Sequence, residues 1–278
     1  MNESMDKLGA AKIASKAMMT QSILPLCVVL VSSFGVLGCI ATEGNEADTE
    51  ALGTTQAAAL SNNALSNNAL SNNALSNNAL SNNAILVAAL TDPNARELLK
   101  YIVSCALPPT SKVDFTSEGV DYSYPGELGL TPKWGLPGGT CSETCQRWIS
   151  ACVMARVDYL GEKVSISLRG PHANRATTPA ERAAYTVREG VYYGNIFRDP
   201  ADQERYACVA PGRHGLPRVC GPTLDGCFLK ATGWCNDTCG SALPDGAYLD
   251  CHDTMRVSNQ FPADSENFPT SITVFLKP

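Results

Sequence analysis

The stretch Gly139–Val157, GTCSETCQRWISACVMARV, puts three of the chain's twelve cysteines into and just before one expected helix. Ser142 suits the N-cap, and Glu143 sets a negative charge in the first turn, where the helix dipole favours it. Stepping 100° per residue from Cys145, the residues Trp148, Ile149, Cys152, Arg156 and Tyr159 fall on the same side. Glu143, Arg147, Ser150, Met154 and Asp158 fall opposite. Two thiols two turns apart on an inward face make this helix the expected centre of a disulfide-pinned fold. Gly161 is expected to stop it, and Val164–Leu168 to follow as a strand.

Whether those thiols oxidise depends on the compartment, which the N-terminus addresses. Lys7, Lys12 and Lys16 form a basic region, and Ile23–Leu37 is an apolar run too short to span a bilayer comfortably. Residues 1–38 therefore read as a signal peptide. The run ends in Val36-Leu37-Gly38-Cys39, which resembles the bacterial lipobox. That resemblance implies cleavage before Cys39 and acylation of it, with several acyl chains giving stable anchoring. Ile40 rather than Asp follows, which in Gram-negative lipoproteins implies the outer membrane. Export leaves ten cysteines beyond Cys39: Cys105, Cys141, Cys145, Cys152, Cys208, Cys220, Cys227, Cys235, Cys239 and Cys251. An even number in an oxidising compartment implies five disulfides. The expected pairs are Cys105–Cys152, Cys208–Cys220 and Cys239–Cys251, with Cys141, Cys145, Cys227 and Cys235 sharing the other two.

Residues 39–84 open with Glu43, Glu46, Asp48 and Glu50, then run through five copies of Ala-Leu-Ser-Asn-Asn from Ala59 to Asn83. With no charge or aromatic residue in the repeats, this tract reads as a tether of roughly 35–40 Å reach. The competing reading is a solenoid. The repeats look something like the pentapeptide-repeat family, but Asn and Ala stand in a different order and five copies bury little.

The folded domain is expected from Ile85 to Pro278. Asp92 caps a helix beginning at Pro93 and ended by Pro108-Pro109, with Ala95, Leu98, Ile102 and Cys105 on one face. Cys105 then points at the core that receives Cys152. Residues 110–140 read as turns with one or two short strands, and Thr178 caps a short helix from Pro179 to about Arg188. Gly190–Phe197, Arg205–Val209 and Ile272–Leu276 read as strands. Strands mixed with two or three helices and no βαβ rhythm indicate α+β, a single disulfide-rich domain with helices packed on a small, mainly antiparallel sheet.

The chemistry-bearing residues are few. Lys and Arg total 21 against 27 Asp and Glu, and removing three basic and two acidic residues with the signal leaves a net charge of −7. Without a basic stripe, nucleic acid is not an expected partner. Gly139–Cys145 and Gly233–Cys239 share the pattern G-x-C-[SN]-[DE]-T-C. Zinc could use such spacings, but oxidised thiols could not bind it, so neither metal nor cofactor is expected. Among His172, His214 and His252, His172 follows a strand end, where an acid such as Asp250 or Asp253 would make it a general base. Arg156, on the buried face, needs a carboxylate or carbonyls, either as a core ion pair or as a pocket for an acidic group. Arg156, Arg169 and His172 are thus the candidate binding residues. Trp134, Trp234 and Tyr192–Tyr193 are the aromatics that could line a sugar-binding groove.

The lipobox, the Asn-Ala-Leu repeats, Ser150–Arg156 (SACVMAR) and Ser165–Pro171 (SISLRGP) together resemble a group of uncharacterised bacterial cell-envelope lipoproteins. The resemblance covers most of the chain and implies a cell-envelope location, with no activity attached. Three functions are consistent with it: a non-catalytic domain binding an envelope glycan or protein, an envelope hydrolase using a His/Asp pair, and a structural spacer.

Overall fold

The computed structural model describes residues 60–63, 78–80 and 84–278. The signal peptide, Cys39 and most of the 39–84 tract lie outside the described residues. Within that tract, Leu60–Asn63 is an edge strand, β1, and Ala79 and Leu80 are buried. The folded unit therefore reaches back before Ile85 at these two places.

Two helices follow, α1 (Ala84–Ala89) and α2 (Pro93–Ala106). Asp92 caps α2 by accepting the Asn94 N–H at 2.8 Å. A hairpin of β2 (Lys112–Ser117) and β3 (Val120–Pro125) comes next. Then comes α3 (Glu143–Ala155), capped by Ser142, which accepts the Cys145 N–H. Arg156, not Gly161, ends α3, so Tyr159 leaves the expected face and is half exposed.

The sheet is formed by β1, β4 (Val164–Arg169), β5 (Val187–Asn195), β6 (Glu204–Val209), β7 (Lys230–Trp234) and a late strand, Ile272–Leu276. Between them lie α4 (Pro179–Ala184), α5 (Pro217–Cys220) and α6 (Cys235–Thr238). A second hairpin pairs β8 (Cys251–His252) with β9 (Asn267–Phe268), and Ile272–Leu276 is β10. The order is β1-β4-β10-β5-β6-β7. All neighbours are antiparallel except β6 and β7. The α+β class is as expected, but the sheet is mixed and larger than expected, because β7 returns parallel to β6.

Alternation along β5 and β6 divides the interior. Tyr192, Ala207 and Val209 join the main core with the helices, and Val191, Tyr193 and Cys208 face a second core with Cys235, Cys239, Tyr248, Cys251 and Phe268. Tyr192 and Tyr193 thus point to opposite faces and are fully buried, which removes them as a groove-lining pair. Helix α3 lies between the sheet and α2, so Ser150 and Met154, expected to face solvent, are fully buried. The Ser150 hydroxyl resolves its burial by donating to the Gln146 carbonyl at 2.6 Å and accepting the Ile196 N–H at 2.9 Å.

All ten cysteines are paired: Cys105–Cys152, Cys141–Cys145, Cys208–Cys235, Cys220–Cys227 and Cys239–Cys251. The expected Cys208–Cys220 bridge is incorrect. Cys208 faces the second core and Cys220 the main core, so the sheet stands between them. The two C-x3-C echoes also diverge, since Cys141 bonds Cys145 while Cys235 and Cys239 bond different partners.

Candidate functional site

The three candidate residues stand in three separate places. Arg169 lies beneath the loops that cross the sheet. Its guanidinium donates to the carbonyls of Asp245 and Tyr185, each at 2.7 Å, and to the Ser167 hydroxyl at 3.0 Å. It also stacks 3.7 Å from the Phe275 ring centre. Each guanidinium nitrogen donates within the chain, two of them to backbone, which suits a structural role.

Arg156 takes the ion-pair form foreseen for it. Nη2 lies 2.6 Å from Glu127 Oε2 and Nη1 2.5 Å from Ser104 Oγ, while that hydroxyl donates to the same carboxylate oxygen at 2.6 Å. The triad ties α2, α3 and the segment after β3. Lys100 and Lys163 rim the cavity of about 310 Å³ beside it. Arg175, fully buried nearby, has its pKa pushed down to about 9, first by burial and then by the charge of Arg156.

His172 lines a different cavity, of about 360 Å³, at the end of β4. Its Nδ1 accepts the Asn174 N–H at 3.1 Å, and its Nε2 lies 3.2 Å from the Leu130 carbonyl oxygen. Only the neutral tautomer with the proton on Nε2 satisfies both contacts. Burial, aided by the charge of Arg175 and opposed by the Leu130 carbonyl, lowers the pKa of the ring. The ring is edge-on to Trp148, 5.0 Å between centres. His172 is therefore a fixed, neutral piece of wall whose acceptor nitrogen is already occupied, and it is poorly placed to take a proton from a substrate. Asp253, imagined as its orienter, belongs to the β8–β9 loop instead. There its Oδ1 accepts from Ser265 Oγ at 3.1 Å and from the Glu266 N–H at 3.0 Å.

The rest of the cavity is aromatic and hydroxylic. Its floor is Trp134 and Trp148, whose indoles show only slivers of surface. Trp134 is set by an indole N–H donated to the Asn78 carbonyl at 2.5 Å and by packing on Phe197. The rim carries Thr131, Thr140, Ser142, Thr144 and Lys133, and the Cys141–Cys145 disulfide stiffens one side. The Thr131 hydroxyl is buried and makes no hydrogen bond among the described residues. Among the described residues, no carboxylate lines the cavity. Trp134 and His172 were legible as candidates, but Lys133 and the hydroxyls were not, because no spacing signals a rim assembled from two loops and a helix start.

A third cluster was not foreseen at all. Arg147 bridges Glu143 at 2.8 Å and Glu266, and Arg198 bonds Glu204 at 2.8 Å. Burial, then the neighbouring Glu266, raises the pKa of Glu204 to about 7. Gly194 is what admits this strand pair so closely. It has a φ of +126°, and a Cβ there would stand 2.1 Å from the Glu204 carbonyl oxygen.

No family model, no curated protein and no solved structure matches this chain.

Proposed function

We propose that the chain is an exported protein, fastened to the outer membrane by lipid at Cys39, whose disulfide-locked domain binds an envelope glycan in the Trp134–Trp148 cavity and does no chemistry there. The make-up of that cavity carries the reading. The exposed indole edges and the disulfide offer apolar contact to a sugar ring, hydroxyls offer both donors and acceptors, and Lys133 suits an acidic substituent. A wall with no carboxylate among the described residues, and with its histidine held neutral by two backbone contacts, lacks the acid–base pair that hydrolysis needs. Pairing of every cysteine after Cys39 supports an oxidising compartment.

The hydrolase reading would rest on His252, whose Nδ1 lies 2.9 Å from Ser265 Oγ. It is the weaker one. Asp253 accepts from the serine rather than orienting the histidine, and the His252 ring is stacked 3.5 Å from Phe261. The network closes a loop.

Titrating the mature chain with a panel of envelope glycans and peptidoglycan fragments tests the proposal. Lys133→Ala and Thr144→Ala, both on the exposed rim, should each weaken binding by about tenfold at unchanged melting temperature. Binding that neither variant alters would place the ligand elsewhere, and no binding by any panel member would reject the glycan reading. Mass spectrometry of native material should find Cys39 acylated, and an unmodified Cys39 overturns the anchoring.

A further inference from the structure

The edge of the main sheet is built from a sequence that the chain contains five times. β1 is the Leu-Ser-Asn-Asn of the first repeat, with Leu60 opposite Ser167, Ser61 opposite Ile166, Asn62 opposite Ser165 and Asn63 opposite Val164. The same four residues begin again at Leu65, Leu70, Leu75 and Leu80. A strand's place is normally selected by its side-chain pattern. Here a shift of one repeat sets identical residues against identical partners, so pattern cannot choose among units.

Only the length of the connection can choose. The last two units are committed, because Leu80 of the fifth is fully buried in the main core and the carbonyl of Asn78, which ends the fourth, holds the Trp134 indole. Asn63 lies opposite the start of β4, while Trp134 shares its cavity with His172, just past the end of β4. The connection from Asn63 to Asn78 therefore has to bridge at least the length of the six residues of β4, roughly 20 Å. With the first unit in place, the length of residues 64–77 is more than enough; with the second, residues 69–77 still reach roughly 30 Å. With the third, only 74–77 remain, which barely span the distance. A chain that has lost its first units cannot fill its own edge, yet β4 would still present an open row of N–H and C=O groups.

We infer that the β4 edge accepts any of the first three Ala-Leu-Ser-Asn-Asn units, including one supplied by a second copy of this chain, so that the repeat tract is an exchangeable strand through which copies link. Donating a strand already used within the chain is a low-cost route to association, since the ladder gained in the partner matches the one given up. The chain's own unit competes at an effective concentration of order millimolar. Linking therefore grows with crowding of the copies and is weak in dilute solution. The inference is independent of the glycan reading and of the lipid at Cys39.

Deletions within the full chain test it. Removing one repeat gives the same sequence whichever copy is cut. It should leave hydrogen-exchange protection along β4 unchanged, because the next unit moves into place. Removing residues 59–73 leaves no unit able to reach. The outer amides of β4 should then exchange freely, and a labelled ALSNNALSNN peptide should restore their protection, binding at least about tenfold tighter than to the full chain. A scrambled peptide should do neither. Exposure of β4 on losing one repeat, or no peptide binding to the chain lacking 59–73 with its five disulfides intact, would overturn the inference. Should that shortened chain fail to form its disulfides, two differently tagged full-length copies mixed at high concentration decide instead. They should copurify, and excess ALSNNALSNN should separate them; failure to copurify rejects exchange.

Discussion

Arg218 does for the end of α3 what no residue near α3 in sequence can. Its Nη1 and Nη2 donate to the carbonyls of Val157 and Ala155 at 2.5 and 3.0 Å, groups that the helix itself leaves unbonded. The same guanidinium grips Glu189, fully buried on β5, at 2.6 to 3.1 Å, and Tyr192 donates to that carboxylate at 2.9 Å. Arg218→Met should lower unfolding free energy by about 3–5 kcal/mol, because it strands a buried carboxylate as well as two carbonyls. Denaturant titration reads this, and adding Glu189→Gln should recover part of the loss. Glu204 supplies a pH signature. Its folded pKa of about 7 lies above its ordinary value of 4.5, so the proton is held more tightly folded than unfolded. Its contribution is full below about pH 4.5 and is lost as pH rises toward 7. His172 acts in the opposite sense. Its pKa is depressed below 6.5, so its contribution is present above that value and lost as pH falls. The two partly cancel in the parent profile, and the difference between parent and Glu204→Gln isolates the first. The loss of stability between pH 5 and pH 8 should shrink by about 1–3 kcal/mol in the variant.

At the scale of elements, what was legible followed from local rules. Asp92-Pro93 and Ser142-Glu143 mark helix starts by capping chemistry that acts within four residues, and both helices begin there. Cys105 and Cys152 could be paired because each sits on the apolar face of its own helix, and two such faces meet. The β6–β7 pairing was not legible, because a parallel neighbour needs a long crossover and leaves no mark in the strands themselves. With it went the Cys208–Cys235 bridge, since Cys235 begins α6 directly after β7. The burial of Ser150 and Met154 was hidden for a related reason: a helix covered on both sides is chosen by tertiary packing, and a polar residue facing a second layer looks like one facing water. The Trp134–Trp148 cavity was half legible, its aromatics visible as types and its rim dependent on how two loops meet. The two disulfides of α3 differ in what they should be worth. Cys105–Cys152 closes a separation of 47 residues and Cys141–Cys145 one of 4. By loop-closure entropy, replacing both cysteines with Ala should cost about 4 kcal/mol for the first pair and about 2 for the second. Melting of the two double variants checks the order, and equal costs would mean that the short bridge stiffens the cavity wall more than its loop length implies.

The whole molecule is a sheet with unlike coverings. Helices α1 to α3 cover one face with a large aliphatic core, while the other face is covered by the loop-rich segment around α6, β8 and β9, whose smaller core is half cystine. A layer with so little regular structure buries too little apolar surface to hold itself down, and cross-links supply the difference. Cys208–Cys235 fastens that layer to the sheet and Cys239–Cys251 ties the layer to itself, with Cys208 and Cys239 sulfurs only 3.6 Å apart. Access to reductant is uneven in a way that matches this division. Cys145 and Cys227 are half-buried, so the short bridges Cys141–Cys145 and Cys220–Cys227 each have one cysteine near the surface. Every cysteine of the other three bridges is at most 1% exposed. Mild reductant acting on the native chain should therefore free four thiols and stop, with secondary structure kept and melting lowered in line with the loss of about 2 kcal/mol per short bridge. The remaining six should appear together with loss of the fold, because attack on a buried sulfur waits for the layer around it to open. Timed alkylation and mass spectrometry would follow the two stages. Release of Cys208, Cys235, Cys239 and Cys251 ahead of the short bridges would mean that the cystine-rich layer lifts from the sheet by itself, as a unit separate from the helical side.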